Sequence, residues 1–182
     1  MAIQKYFIAI VIPDPFQAEL MSLKNWVKDN LNSKGSLRSP AHITLHMPFE
    51  WKEEKETVLI NTLQQFSFSQ NFSIDLNNFS CFEPRVIFVD VLKNQLLEKL
   101  QNELVVYVQK KLLLLNQVND MRGFHPHVTI AFRDLKKEKF YQAMDYFKTQ
   151  TYKAVFEVKS FSLLKHTGKE WLVYKEFFFT NV

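Results

Sequence analysis

Glycine is scarce in this chain: three residues in 182, at Gly35, Gly123 and Gly168. A P-loop or a dinucleotide-binding turn needs several glycines at fixed spacing, so that the backbone can approach phosphates closely. Neither can be built here, and those two kinds of nucleotide site are excluded. Cysteine is scarcer still. Cys81 stands alone, so no disulfide can close within the chain and no multi-thiolate metal site can form. Long apolar runs are missing too. The run at 6–12 stops at Pro13, which is short for a secretory core. No stretch approaches the roughly 20 apolar residues that cross a bilayer. These absences lead us to expect a cytoplasmic protein without a membrane segment.

Aromatic residues, by contrast, are plentiful. They make up 15% of the chain, 18 of them phenylalanine, within a 47% apolar total. That is ample for a packed core and argues against disorder. At this length one domain, 1–182, is expected. The net charge of +4 and pI near 9.0 favour an anionic ligand without demanding nucleic acid.

Hydrophobic periodicity divides the chain as follows. Residues 6–12 read as a buried strand. Asp14 and Pro15 read as N-cap and first helical position of a helix carrying Phe16, Leu20, Leu23, Val27 and Leu31 on one face. Residues 32–39 are a polar loop, and 42–47 a strand closed by Pro48. A helix at 53–66 follows, then one or two strands in 72–82, a break at Glu83-Pro84, and a strand at 86–92. A long helix over 97–115, a loop over 116–126, a strand at 127–132 and a helix around 140–147 come next. The chain ends on two strands, 156–164 and 171–179, joined as a hairpin at 166–169. The order strand, helix, strand, helix, strand occurs twice with matching spacing. We read it as a duplication, with lobes at about 1–84 and 85–182 flanking a shared groove.

The second strand of each unit carries the chemistry. Pro40-Ala41-His42-Ile43-Thr44-Leu45 and His125-Pro126-His127-Val128-Thr129-Ile130 each hold His-x-Thr followed by an aliphatic residue. On a strand, positions i and i+2 share a face. His42 therefore points with Thr44, and His127 with Thr129. Side by side, they would set two imidazoles and two hydroxyls in one cleft. One such tripeptide reads equally well as a half-buried histidine beside a β-forming threonine. Two at equivalent places in a repeat are much rarer. A zinc site built from His42, His46, His125 and His127 is the rival chemistry. Neither motif strand contains a carboxylate, and no helical pair of ligands accompanies them. No metal and no other cofactor is expected.

These motifs, with the opening Lys5-Tyr6-Phe7-Ile8-Ala9-Ile10, resemble the two-histidine (2H) phosphoesterase superfamily, in its branch of 2'-5' RNA ligase-like proteins. The resemblance spans nearly the whole chain. It implies an α/β fold of the α+β kind: two lobes of duplicated β-α-β units, two mainly antiparallel sheets forming a central groove, and helices outside. It implies hydrolysis of RNA or nucleotide 2',3'-cyclic phosphates, with reversible 2'-5' joining of RNA ends in some members. By the family pattern, His42 is the proton donor and His127 the proton acceptor, while Thr44 and Thr129 hold phosphate oxygens. The family often places an arginine five residues after the second motif histidine. Here that position is Phe132, and Arg133 follows it.

Imidazole suits both proton steps because its ordinary pKa lies near 6.5. Arg38 and Arg122, in equivalent loops, are candidate contacts to flanking RNA phosphates, as is Arg133. Tyr6, Phe49 and Phe124 are candidate platforms for a base. The expected partner is an RNA end or a small cyclic nucleotide. No obligatory protein partner is evident. The alternative is a binding module for RNA ends or nucleotides that keeps the cleft without turnover.

Overall fold

The period-two segments become strands and the 3.6-period segments become helices. A computed structural model describes residues 2–116 and 123–180. Its eight strands are β1 (Ile3–Val11), β2 (His42–Lys52), β3 (Phe72–Phe82), β4 (Val86–Val91), β5 (His127–Ala131), β6 (Lys153–Val158), β7 (Ser160–His166) and β8 (Trp171–Phe178). The four α-helices are α1 (Phe16–Leu31), α2 (Glu56–Gln64), α3 (Gln95–Leu112) and α4 (Lys137–Phe147). The result is a mixed α+β fold on a curled antiparallel sheet.

The sheet order is β6-β3-β4-β5-β2-β1-β7-β8. Read outward from its centre, the strands fall into pairs, one on each side. β2 faces β5 across the middle, β1 and β4 flank them, then β7 and β3, then β8 and β6. At the middle, β2 and β5 share only one partner pair, Ile43 with Val128. The two expected sheets are thus two four-stranded halves merged at a narrow seam. The rung through that seam runs Ile10, Ile43, Val128, Val89. All four side chains are buried, so the join is apolar.

Each unit lends parts to the other. β3 follows α2 but pairs with β4 and β6, while β7 follows the second unit's helices but pairs with β1. α1 packs on β5, and α3 packs on β2. The half-sheets therefore do not divide where the chain halves at residue 84. The expected single strand at 156–164 is likewise two strands. β6 completes one half-sheet, the chain crosses at Lys159, and β7 and β8 complete the other.

Helices cover the sheet face bearing Tyr6, Ile8 and Ile10, and that side holds the main core. The opposite face carries a small separate cluster of Phe7, Ala9 and Leu164, edged by Val11 and Trp171. Helix boundaries follow local chemistry. Asn94 caps α3 by accepting from the backbone N–H groups of Leu96 and Leu97, both at 3.0 Å. α3 ends at Leu112, three residues short of the expected end, and its cap Leu113 has a left-handed φ of 57°. α1 begins at Phe16, with Pro15 in the cap position. β2 does not stop at Pro48 but continues to Lys52.

Candidate active site

Antiparallel register decides which side chains meet. With Ile43 opposite Val128, one step along either strand sets His42 opposite Thr129, and Thr44 opposite His127. All four then share the face opposite the buried rung. Directly opposed and diagonal neighbours on one face of such a pair lie roughly 5–8 Å apart. That span suits one phosphate group. The outer strands continue the pattern: Val11 pairs with His42 and Ala9 with Thr44, while Phe88 pairs with Thr129 and Asp90 with His127.

The two histidines are held alike. His42 Nδ1 lies 2.7 Å from the Pro40 carbonyl oxygen, and His127 Nδ1 lies 2.7 Å from that of His125. A carbonyl oxygen only accepts, so each Nδ1 carries the hydrogen. Nε2 is then the nitrogen that exchanges protons. Each ring also rests on an aromatic of the neighbouring strand. Phe7 lies 4.8 Å from His42 at 48°, and Phe88 lies 4.8 Å from His127 at 49°. The two motifs thus share the backbone tether and the aromatic wall as well as the sequence pattern. No hydrogen bond among the described residues engages the hydroxyl of Thr44 or Thr129, and both residues are half-buried.

His42 is half-buried. Burial pushes its pKa down to about 4, against the pull of the Pro40 carbonyl, and the charges of Lys24 and His127 push the same way as burial. Two imidazoles that feel each other titrate apart, as acid–base pairing requires.

The other expected residues fall in several places. Arg38 stands at the end of a short 3-10 turn, Gly35–Arg38. It lines a cavity of about 310 Å³ with Pro40, Glu170 and Trp171, beside the first motif. Arg122 lies outside the described residues. Arg133 sits beyond the end of β5 with a left-handed φ of 61°, its guanidinium 5.0 Å above the Phe132 ring. Strand alternation therefore does not set its direction. Tyr6 and Phe49 are not in the cleft. Both belong to the helix-covered core and stack on each other at 6.0 Å. Even-numbered β1 positions face the helices, and the Tyr6 hydroxyl is donated to Glu56, so neither ring is available to a base. Phe124 packs partly buried against the same core.

A bulge explains His46, whereas Phe49 keeps the core face of Ile43 and Leu45. Ala9 pairs with Thr44 but Ile8 pairs with His46, which leaves Leu45 without a partner. Alternation reverses there, and a second extra residue between His46 and Phe49 restores it. His46 is consequently buried in the core, with Nδ1 on its neighbour's carbonyl and Nε2 without a partner.

Several residues near the site gave no motif signal. Phe82 packs edge-on to His127 at 5.2 Å, and Trp171 edge-on to Phe7 at 4.8 Å. His125 approaches within 3.6 Å of the Asp90 carboxylate. Beyond β5, the Asp134 carboxylate accepts from the Ser33 hydroxyl at 2.7 Å and from the Lys34 and Gly35 N–H groups. It ties the second motif's exit to the first motif's entry. Among the described residues, no group of three or more His, Cys, Asp or Glu is arranged to hold a metal ion. No helix among them is long and apolar enough to cross a membrane.

Fold and site together define a curled antiparallel sheet with two His-x-Thr strands meeting at its seam. The profile of the 2'-5' RNA ligase superfamily matches residues 12–170. The chain belongs to that family, the two-histidine phosphoesterases, whose members act on phosphodiester bonds as esterases or ligases. Solved structures agree in fold. Escherichia coli LigT in apo form is 17% identical, with all of both chains covered and a TM-score of 0.68. TT0787 of Thermus thermophilus is 19% identical, with 97% of this chain and 98% of that one covered and a TM-score of 0.68. LigT has also been solved with 3'-AMP, at 19% identity, full coverage of both chains and a TM-score of 0.63. No curated protein matches the chain.

Proposed function

We propose that the chain is a phosphoesterase that hydrolyses 2',3'-cyclic phosphates at RNA ends or on nucleotides, using His42 and His127 without a metal ion. The observation that carries this reading is the register at Ile43 and Val128, which turns both His-x-Thr pairs onto one face. Water attacks phosphorus and gives its proton to Nε2 of His127. The P–O3' bond breaks, and O3' takes a proton from Nε2 of His42, leaving a 2'-phosphate. The threonine hydroxyls donate to the equatorial oxygens as charge shifts among them. The donor and acceptor roles follow the family resemblance. With an RNA 5'-hydroxyl in place of water, the same groups would join ends through a 2'-5' bond as O3' leaves, and the reverse step would cleave that bond to the cyclic phosphate. That LigT binds 3'-AMP supports a nucleotide as ligand.

His42 presents a condition on this scheme. Its pKa of about 4 in the empty cleft leaves it neutral at pH 7. A bound phosphate anion favours imidazolium and raises that value. Since kcat/KM reports the free enzyme and kcat the complex, the alkaline limb of kcat/KM should lie well below that of kcat. Coincident limbs would remove His42 as the acid.

The central test is turnover of a nucleoside 2',3'-cyclic phosphate in excess chelator. His42→Ala and His127→Ala should each lose roughly 10²- to 10⁴-fold, while wild type keeps its rate. Full activity in either variant would falsify the two-imidazole scheme, and loss of wild-type activity on chelation would assign the chemistry to a metal. Tight binding of a 2'-phosphate with no hydrolysis over hours would instead mark a binding module.

A further inference from the structure

α1 breaks its own pattern at Lys24. The residues it buries are Leu20, Lys24, Val27 and Leu31, so a lysine occupies the apolar stripe. Lys24 is 1% exposed, and no carboxylate lies within ion-pair distance of it among the described residues. Its Nζ donates instead to the carbonyl oxygens of Ser36 and Ser39, both at 3.0 Å. A lysine this buried without a counter-charge is costly to fold around. Burial accordingly pulls its pKa down to about 8.

The place of that charge is specific. Ser36 and Ser39 bound the segment leading to Pro40, whose carbonyl holds His42 Nδ1. Gln17, two helical turns before Lys24, grips the far side of Pro40. Its amide donates to the Ala41 carbonyl at 3.2 Å and accepts from the Ala41 N–H at 2.7 Å. One face of α1 thus clamps both flanks of the carbonyl that orients His42. The titratable groups whose charge bears on His42 are Lys24 from α1 and His127 from β5. Its β1 neighbours, Phe7 and Val11, are uncharged. Arg38 stands on the rim beside Trp171.

We infer that Lys24 is a positioning residue of the anion site. Its ammonium fixes the Ser36–Pro40 segment that aims His42, and its charge biases the empty cleft toward a neutral His42 and toward an anionic ligand. Fully buried on α1, Lys24 acts on the substrate's phosphate through its charge and through His42 rather than by contact. This rests on the phosphoesterase reading for the ligand's identity, but its test need not.

The test uses the full chain with Lys24→Gln, Lys24→Arg and Lys24→Met. Gln keeps two donors for the serine carbonyls and loses the charge, Arg keeps both, and Met loses both. His42 is followed by the proton NMR shift of its ring against pH, and ligand binding by titration with inorganic phosphate. In Lys24→Gln, His42 should titrate closer to the ordinary histidine range, and phosphate affinity should fall roughly 3- to 10-fold at pH 7. Lys24→Arg should keep both near wild type. The ratio of wild-type phosphate affinity to that of Lys24→Gln should shrink as pH rises through about 8, where Lys24 loses its proton. An unchanged His42 titration and unchanged phosphate affinity in folded Lys24→Gln would overturn the inference. If Gln and Met variants fail to fold, a pH-independent wild-type affinity between pH 7 and 9, after correction for phosphate's own ionisation, would overturn it. If the phosphoesterase reading alone is wrong, the NMR shift still appears while no cyclic phosphate turns over.

Discussion

At the scale of residues, the tether from His42 Nδ1 to the Pro40 carbonyl does more than fix a tautomer. It holds the ring half-buried against Phe7, where the imidazolium is disfavoured. The folded pKa of about 4 lies below the unfolded value near 6.5. A histidine depressed in this way adds stability that is complete above pH 6.5 and is lost as pH falls toward 4. Thermal melts should show wild type losing more stability than His42→Asn across that window, by at most roughly 3 kcal/mol. Added phosphate should narrow the difference. The threonines are a cleaner case. Thr44→Val and Thr129→Val keep shape and remove one donor each to a charged ligand. Each should lower kcat/KM roughly 10- to 100-fold, with melting temperature nearly unchanged. A kcat/KM within twofold of wild type would take that threonine out of the site.

At the scale of elements, the clasp between Asp134 and the 33–35 segment is decisive. Gly35 is there because a side chain would not fit. A Cβ would lie 2.8 Å from the Phe132 carbonyl oxygen and 2.9 Å from Asp134 Oδ1. The donors from Ser33, Lys34 and Gly35 hold the Asp134 carboxyl below its usual range despite partial burial. Its contribution is therefore full above the ordinary carboxylate pKa and fades as pH falls through the lowered one. Asp134→Ala should cost about 1–3 kcal/mol at pH 7 in denaturant melts, and Gly35→Ala a similar amount. Both should also reduce turnover by disturbing the two motif loops together. The sequence shows why such features stay hidden. Alternation identifies β1, β2 and β5 and turns Thr44 toward His42, because period two survives there. It fails past Leu45, where one extra residue turns His46 into the core, and a second before Phe49 restores the original phase, so Phe49 shares the core face of Ile43 and Leu45. It cannot see the crossing at Lys159, since β6 and β7 continue one alternating pattern in sequence and are two strands in space. Helical periodicity accepts Leu23 on the buried stripe and passes over Lys24, whose burial only tertiary structure reveals. Asp134 and Gly35 are 99 residues apart, and no local pattern joins them.

At the scale of the whole molecule, the seam governs the cleft. Its two halves are joined through one strand pair, and Ile43 and Val128 are both fully buried there. Ile43→Ala should cost about 2–5 kcal/mol, the usual range for a core aliphatic. Leu59→Ala, equally buried in α2, should cost a comparable amount away from the seam. At a temperature where both variants are folded, Ile43→Ala should lose far more activity, because it sits between His42 and Thr44. Equal activity in the two would show that the seam does not set the spacing of the motifs.

The exchange of strands between the two halves of the chain reaches further than the cleft. A protease nick in the turn at 83–85 would leave two polypeptides, each needing β-structure from the other to close its own half-sheet. Such pieces would regain their shape only on encounter, at a rate set by dilution, and each left alone would offer bare strand edges to any neighbour. Continuity of the chain here works as a high local concentration, keeping two incomplete halves permanently within reach.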